Sequence, residues 1–118
     1  MFILLGPDGT GKSTLARRLH SATGHTIIHA VKDTTYSEYL QPLTTPPNSL
    51  NTIWDRFIWC EEAYTKALLR SFKFSWKEFH NITLLALMHN PLIILCTHDH
   101  EVIKKYADRV VRIGEKEL

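Results

Sequence analysis

The stretch that most limits what this chain can become is Gly6 to Ser13, GPDGTGKS, which interrupts the apolar run FILL and hands over to the leucine-spaced, charged segment STLARRLH. Its glycines, Gly6, Gly9 and Gly11, free the backbone to take positive φ angles, so the loop can curl until successive N–H groups face one point. The apolar run before it reads as a buried strand. The segment after it, with Leu15, Leu19 and Ala22 on one face and Gly24 as a stop, reads as a helix. A strand, a glycine-rich turn and a helix start at the spacing G-x-x-x-x-G-K-S make a cradle for phosphates, because the inward N–H groups and the positive end of the helix both attract anionic oxygen.

Gly6, Asp8, Gly9, Thr10, Gly11, Lys12, Ser13 and Thr14 are therefore the candidate nucleotide-binding residues. Lys12 is placed to reach β- and γ-phosphate oxygens as a point charge, and the Ser13 hydroxyl to bind a magnesium ion bridging them, while Thr14 supports the helix start. ATP and Mg2+ are the expected cofactors. The plainer alternative is an ordinary turn followed by a solvated lysine.

At 118 residues, 44% hydrophobic and 22% charged, the chain is expected to form a single folded domain over residues 1–118, neither disordered nor fibrous. A formal charge of +2, with Arg17–Arg18 and Lys104–Lys105 as pairs and no longer basic run, does not suggest a nucleic-acid surface. Cys60 and Cys96 lack metal-type spacing, and Cys96 lies in the apolar run PLIILC, where a small buried hydrophobe belongs. MFILL has no basic segment before it, and no apolar stretch approaches the roughly 18 residues of a membrane span. The expectation is a cytoplasmic protein with small-molecule nucleotide partners, no nucleic acid, no membrane, and a homodimer as an option.

Farther along, HTIIHA is a second strand candidate, and VKDTTYSEYLQPL carries a helical turn or two before Pro46 and Pro47 mark a loop. LNTIW is a third strand that ends at Asp55. RFIWCEEAYTKALLRS continues as a helix with Ile58, Ala63 or Tyr64, Ala67 and Leu68 helically spaced. SWKEFHNITLLALMHNP opens with a capping box, Ser75 and Glu78, and offers Phe79, Ile82, Leu85, Ala86 and Met88 to a core. LIILCT is a fourth strand, DHEVIKKYA a short helix, and DRVVRIG either a fifth strand or an arginine-bearing flap. The alternation predicts an α/β fold with a mainly parallel sheet of four to five strands, helices on both faces and the ligand beyond the C-terminal strand ends, and GPDGTGKS makes the expected class a three-layer P-loop sandwich.

Taken together, GPDGTGKSTLARRL and, after one intervening strand, TIWDRFIWCEEAY resemble the thymidylate kinase-like branch of the P-loop nucleoside monophosphate kinases, especially small phage-type members. The resemblance covers most of the chain, implies C-terminal shortness relative to the family, and meets VKDTTYSEYL where the family has an Arg-Glu-Pro-like segment. It implies that Asp55 lies near the magnesium and the reacting phosphates, that Arg56 clamps an acceptor monophosphate, and that Phe57 shapes the acceptor pocket. Tyr36, Tyr39 and Trp59 fall where the family holds its nucleobase, or else belong to the core. Arg109 and Arg112 match the lid arginines that close over the transferred group, with Lys104 and Lys105 behind them. The implied activity is phosphoryl transfer from ATP to a deoxynucleoside monophosphate, dTMP foremost, with a deoxynucleoside as the next acceptor. The plainer alternative for Asp55 beside Arg56 is a surface ion pair.

Two other readings stay open. LIILCTHDHEVIKKYADRVVRI resembles the switch-histidine tail of ABC-type ATPases, with His98 in that role, although no LSGGQ-like signature accompanies it. A nucleotide-binding module without kinase activity is the other. His98 and His100 form an H-x-H pair without further ligands, and His20, His25, His29, His80 and His89 read as surface or core residues.

Overall fold

A computed structural model of the protein describes residues 1–7, 9–45 and 51–96. Asp8, Pro46, Pro47, His98, His100, Lys104, Lys105, Arg109 and Arg112, and with them the expected helix DHEVIKKYA and the segment DRVVRIG, lie outside the described residues.

The elements run β1 (Phe2–Leu5), α1 (Lys12–Thr23), β2 (Thr26–His29), α2 (Tyr36–Thr44), β3 (Thr52–Asp55), α3 (Ile58–Ala67), α4 (Trp76–Met88) and β4 (Leu92–Leu95). The four strands form one sheet in the order β2-β3-β1-β4, with every pairing parallel. This is the α/β sandwich expected from the alternation of strand and helix patterns.

Strand β1 is covered on both faces, which is why FILL is apolar without alternation. Leu4 turns with Ile53 to the face where Ala16 of α1 packs, joined by Leu15, Leu19, Ile27 and Ile94. Ile3, Leu5 and Trp54 face the larger core, which takes Tyr39 and Leu43 from α2, Ile58, Trp59 and Ala63 from α3, and Phe79, Ile82 and Ala86 from α4. Trp59 Nε1 donates to Thr83 Oγ1 at 2.9 Å, tying α3 to α4 inside this core. The edge strands are more open, and Leu92 and Ile93 of β4 remain exposed among the described residues.

Three details depart from the sequence reading. Ala22 is exposed and Ala16 takes the buried position on α1, because the sheet meets only the first turns of that helix. Met88, expected in the core, is 76% exposed in the last turn of α4. Helix α3 starts at Ile58 instead of Arg56, since Arg56 holds a left-handed φ of 74°. Both capping boxes are complete: Ser75 and Glu78 bond each other's backbone N–H on α4, and Thr35 and Glu38 do so on α2. No helix among the described residues is long and apolar enough to cross a membrane.

Candidate functional site

The site begins where β1 gives out. Gly6 has a φ of 132°, and a Cβ there would stand 2.0 Å from the carbonyl oxygen of Cys96, which follows β4 and whose N–H donates to Leu5 O at 2.8 Å. Glycine is thus demanded twice, by conformation and by the neighbouring strand end. Gly9 and Gly11 also have positive φ, and Gly11 is the N-cap of α1.

Lys12 is 5% exposed and folds back over its own loop, donating from Nζ to Gly6 O and, at 2.6 Å, to Pro7 O. Thr10 Oγ1 donates to the same Pro7 carbonyl at 2.6 Å. Burial lowers the pKa of the Lys12 ammonium, an effect opposed by Cys60 and Asp55. The charge is held by neutral carbonyls, so an anion brought into the loop would offer it a stronger, charge-assisted partner.

Helix α1 has no side-chain cap and no acidic residue in its first turn, whereas α2 and α4 cap themselves. Its first-turn N–H groups and the positive end of its dipole stay available to a ligand. Helix α3 likewise lacks a side-chain cap but carries Glu61 in its first turn, so among the described helices only α1 begins with neither a capping side chain nor an acidic residue.

Asp55 closes the other side. It is 2% exposed at the end of β3, which lies between β1 and β2, and its Oδ2 accepts from Ser13 Oγ at 2.8 Å and from His29 Nδ1 at 2.9 Å. Parallel register sets His29 opposite Asp55 at the end of β2, and Leu4 opposite Asp55 on β1. His29, read from sequence as one of several scattered histidines, is the residue that reading missed. The signal available was its place at the end of a predicted strand, level with the carboxylate.

Arg56 follows in the left-handed region, strain of about 1–3 kcal/mol for a non-glycine residue. Its guanidinium sits 5.7 Å from the centre of the half-buried Tyr64 ring, a contact of about 0.5–2 kcal/mol, too weak alone to hold the backbone there. The Arg56 N–H bond to Leu4 O at 3.1 Å and the burial of Phe57 and Ile58 complete the restraint. Gly9, Gly11, Lys12, Ser13, Thr14, His29, Asp55 and Arg56 line one cleft of about 390 Å³.

The aromatic residues expected at an acceptor base lie elsewhere. Phe57 and Tyr39 are 1% and 2% exposed and pack on each other, on Trp54 and on further core rings, while Trp59 is committed to Thr83. Between Tyr39, Phe57, Arg56 and Tyr64 remains a pocket of about 10 Å³, which suits a single water molecule and excludes a base. Tyr36 is not among the residues lining the cleft; it lines a separate surface pocket beside the start of α4, its hydroxyl accepting from Asn81 Nδ2 at 2.6 Å. Core burial outcompetes stacking for these rings because each hides a large apolar area among its neighbours.

Ser13 and Asp55 supply the oxygen atoms that suit a magnesium ion. Among the described residues no group of three or more His, Cys, Asp or Glu can hold a metal, so such an ion would draw its remaining ligands from nucleotide and water.

Residues 1–84 match the family model of the AAA domain (dynein-related subfamily). No curated protein matches the chain. Among solved structures, the YorR protein from Bacillus subtilis in complex with phosphorylated GDP aligns with a TM-score of 0.64 and 19% identity, over 98% of this chain and 77% of that one. At that identity the likeness speaks for the fold.

Proposed function

The chain belongs to the AAA domain (dynein-related subfamily) family of P-loop nucleoside triphosphatases, and taking triphosphate binding from that membership and the acceptor from the thymidylate kinase-like resemblance of TIWDRF, we propose that it transfers the γ-phosphoryl group of ATP to a deoxynucleoside monophosphate, dTMP foremost. The observation that carries the reading is the convergence of Lys12, Ser13, Asp55 and Arg56 on one cleft. Transfer between two anionic phosphates needs charge neutralisation and alignment more than covalent chemistry, and this cleft sets a cation on each side.

In this scheme the loop N–H groups and the start of α1 hold the triphosphate, and Lys12 exchanges the carbonyls of Gly6 and Pro7 for phosphate oxygens. Ser13 and Asp55 would hold a magnesium ion, whose charge would help neutralise the bound triphosphate. Arg56 presents a planar fork to the acceptor phosphate, a geometry that lysine lacks. Arg109 and Arg112 enter the proposal as lid residues on the strength of the family resemblance alone.

A second reading, nucleotide binding and hydrolysis without an acceptor, is favoured by the core placement of Tyr39 and Phe57. A single assay separates the two: protein, magnesium and ATP against the four deoxynucleoside monophosphates and their nucleosides, with ADP and phosphorylated product followed together. Because YorR was captured with phosphorylated GDP, GTP joins ATP as a donor. Product from one monophosphate upholds the kinase; ADP release with no phosphorylated acceptor upholds the hydrolytic module.

A further inference from the structure

The cleft holds a group that neither the loop motif nor the Asp-Arg pair accounts for. His29 has 57% of its side chain exposed, yet its imidazole is anchored at 2.9 Å to a carboxylate that is 3% exposed. A carboxylate accepts only, so the bond requires the proton on Nδ1. Ser13 Oγ donates to the same oxygen, Oδ2, at 2.8 Å, so neither bond is spent on Oδ1.

We propose that His29 is a positioning residue for magnesium: with Ser13 it clamps Asp55 Oδ2 from both sides and so presents Oδ1 to the ion or to a water bound to it. This rests on the magnesium–nucleotide reading of the cleft. Two donors on one oxygen fix the rotation of the carboxylate about its last bond, which one donor alone leaves free. Carboxylates that serve hard cations are commonly held by such outer partners, whose loss costs on the order of 10–100-fold in metal affinity. The parallel register that sets His29 against Asp55 makes the arrangement a property of the sheet instead of a mobile loop.

The test is ATP binding by calorimetry, with magnesium and with EDTA, for the wild type, His29→Ala and His29→Asn. The exposed position lets either variant fold, and the Asn amide restores a donor near the place of Nδ1–H. Expected is roughly tenfold weaker ATP binding by His29→Ala in magnesium, unchanged binding in EDTA, and recovery of most of the loss in His29→Asn. Equal weakening in both media would make His29 a plain nucleotide contact and overturn the proposal. Unchanged or tighter binding in magnesium would overturn it too, the tighter case meaning that His29 competes with the ion. A wild type that binds ATP no better with magnesium than without would bring down the underlying reading along with the inference.

Discussion

Ser13 Oγ donates to Asp55 Oδ2 at 2.8 Å, a bond between residues 42 positions apart that joins the phosphate loop to the end of a separate strand. It exists because β3 pairs directly with β1, with Leu4 opposite Asp55, so that the first turn of α1 lies above the carboxylate. Loop and carboxylate therefore work as one site, and substitutions on either side should report on nucleotide binding.

Replacing Lys12 with alanine should abolish productive triphosphate binding, with ATP affinity in magnesium falling at least about tenfold, the value of one strong charge-assisted contact. Folding should survive, because the ammonium is desolvated by burial and held only by loop carbonyls. Calorimetric titration beside a thermal melt checks both halves, and equal affinity in the two proteins would refute the loop assignment.

Gly6→Ala should be far more damaging to stability than Gly9→Ala. Both positions have positive φ, but only at Gly6 does an added Cβ collide with backbone, the Cys96 carbonyl at 2.0 Å; at Gly9 it meets nothing within 4 Å. We expect about 1–2 kcal/mol for the conformational cost at Gly9 and clearly more at Gly6. Urea denaturation of the two variants measures the difference.

Arg56→Ala should leave ATP binding near the wild-type value and remove use of a phosphorylated acceptor. It also replaces the cation above Tyr64 while keeping a non-glycine residue at φ 74°, so the backbone strain persists and the change is read at the cleft. Product formation from the active monophosphate, with ATP affinity measured in parallel, distinguishes loss of the acceptor from loss of the donor.

Alkaline pH should destabilise the fold through Tyr39. Burial raises the pKa of this phenol far above its usual value near 10. A group whose folded pKa is raised contributes stability that is complete below the unfolded pKa and falls as pH rises beyond it. Stability should thus decline above about pH 10, and Tyr39→Phe should reduce that decline. Denaturation midpoints at pH 8, 10 and 11 for both proteins give the comparison; parallel curves would exclude Tyr39 as the source.

Much of the architecture was legible because it is local. The capping boxes at Thr35–Glu38 and Ser75–Glu78 form as side-chain spacing dictates. FILL, TIW and LIIL announce strands by composition, and Asp55 was correctly set at a strand end. Less legible were the start of α3, set by the left-handed φ of Arg56, and the face a helical residue presents. Met88 has the right helical spacing for the core but lies in the last turn of α4, where no neighbour covers it among the described residues.

The phosphate cradle is a local feature, because glycine's freedom at 6, 9 and 11 and the uncapped start of α1 are properties of adjacent residues. What faces the cradle depends on contacts between distant segments. Strand order and register brought His29 and Ser13 to one oxygen of Asp55, and packing drew Tyr39 and Phe57 into the core, leaving Arg56 at the cleft. Such pairings join segments far apart in the chain, and they are chosen by the burial and hydrogen bonding of the whole sheet, which no local pattern of residues records.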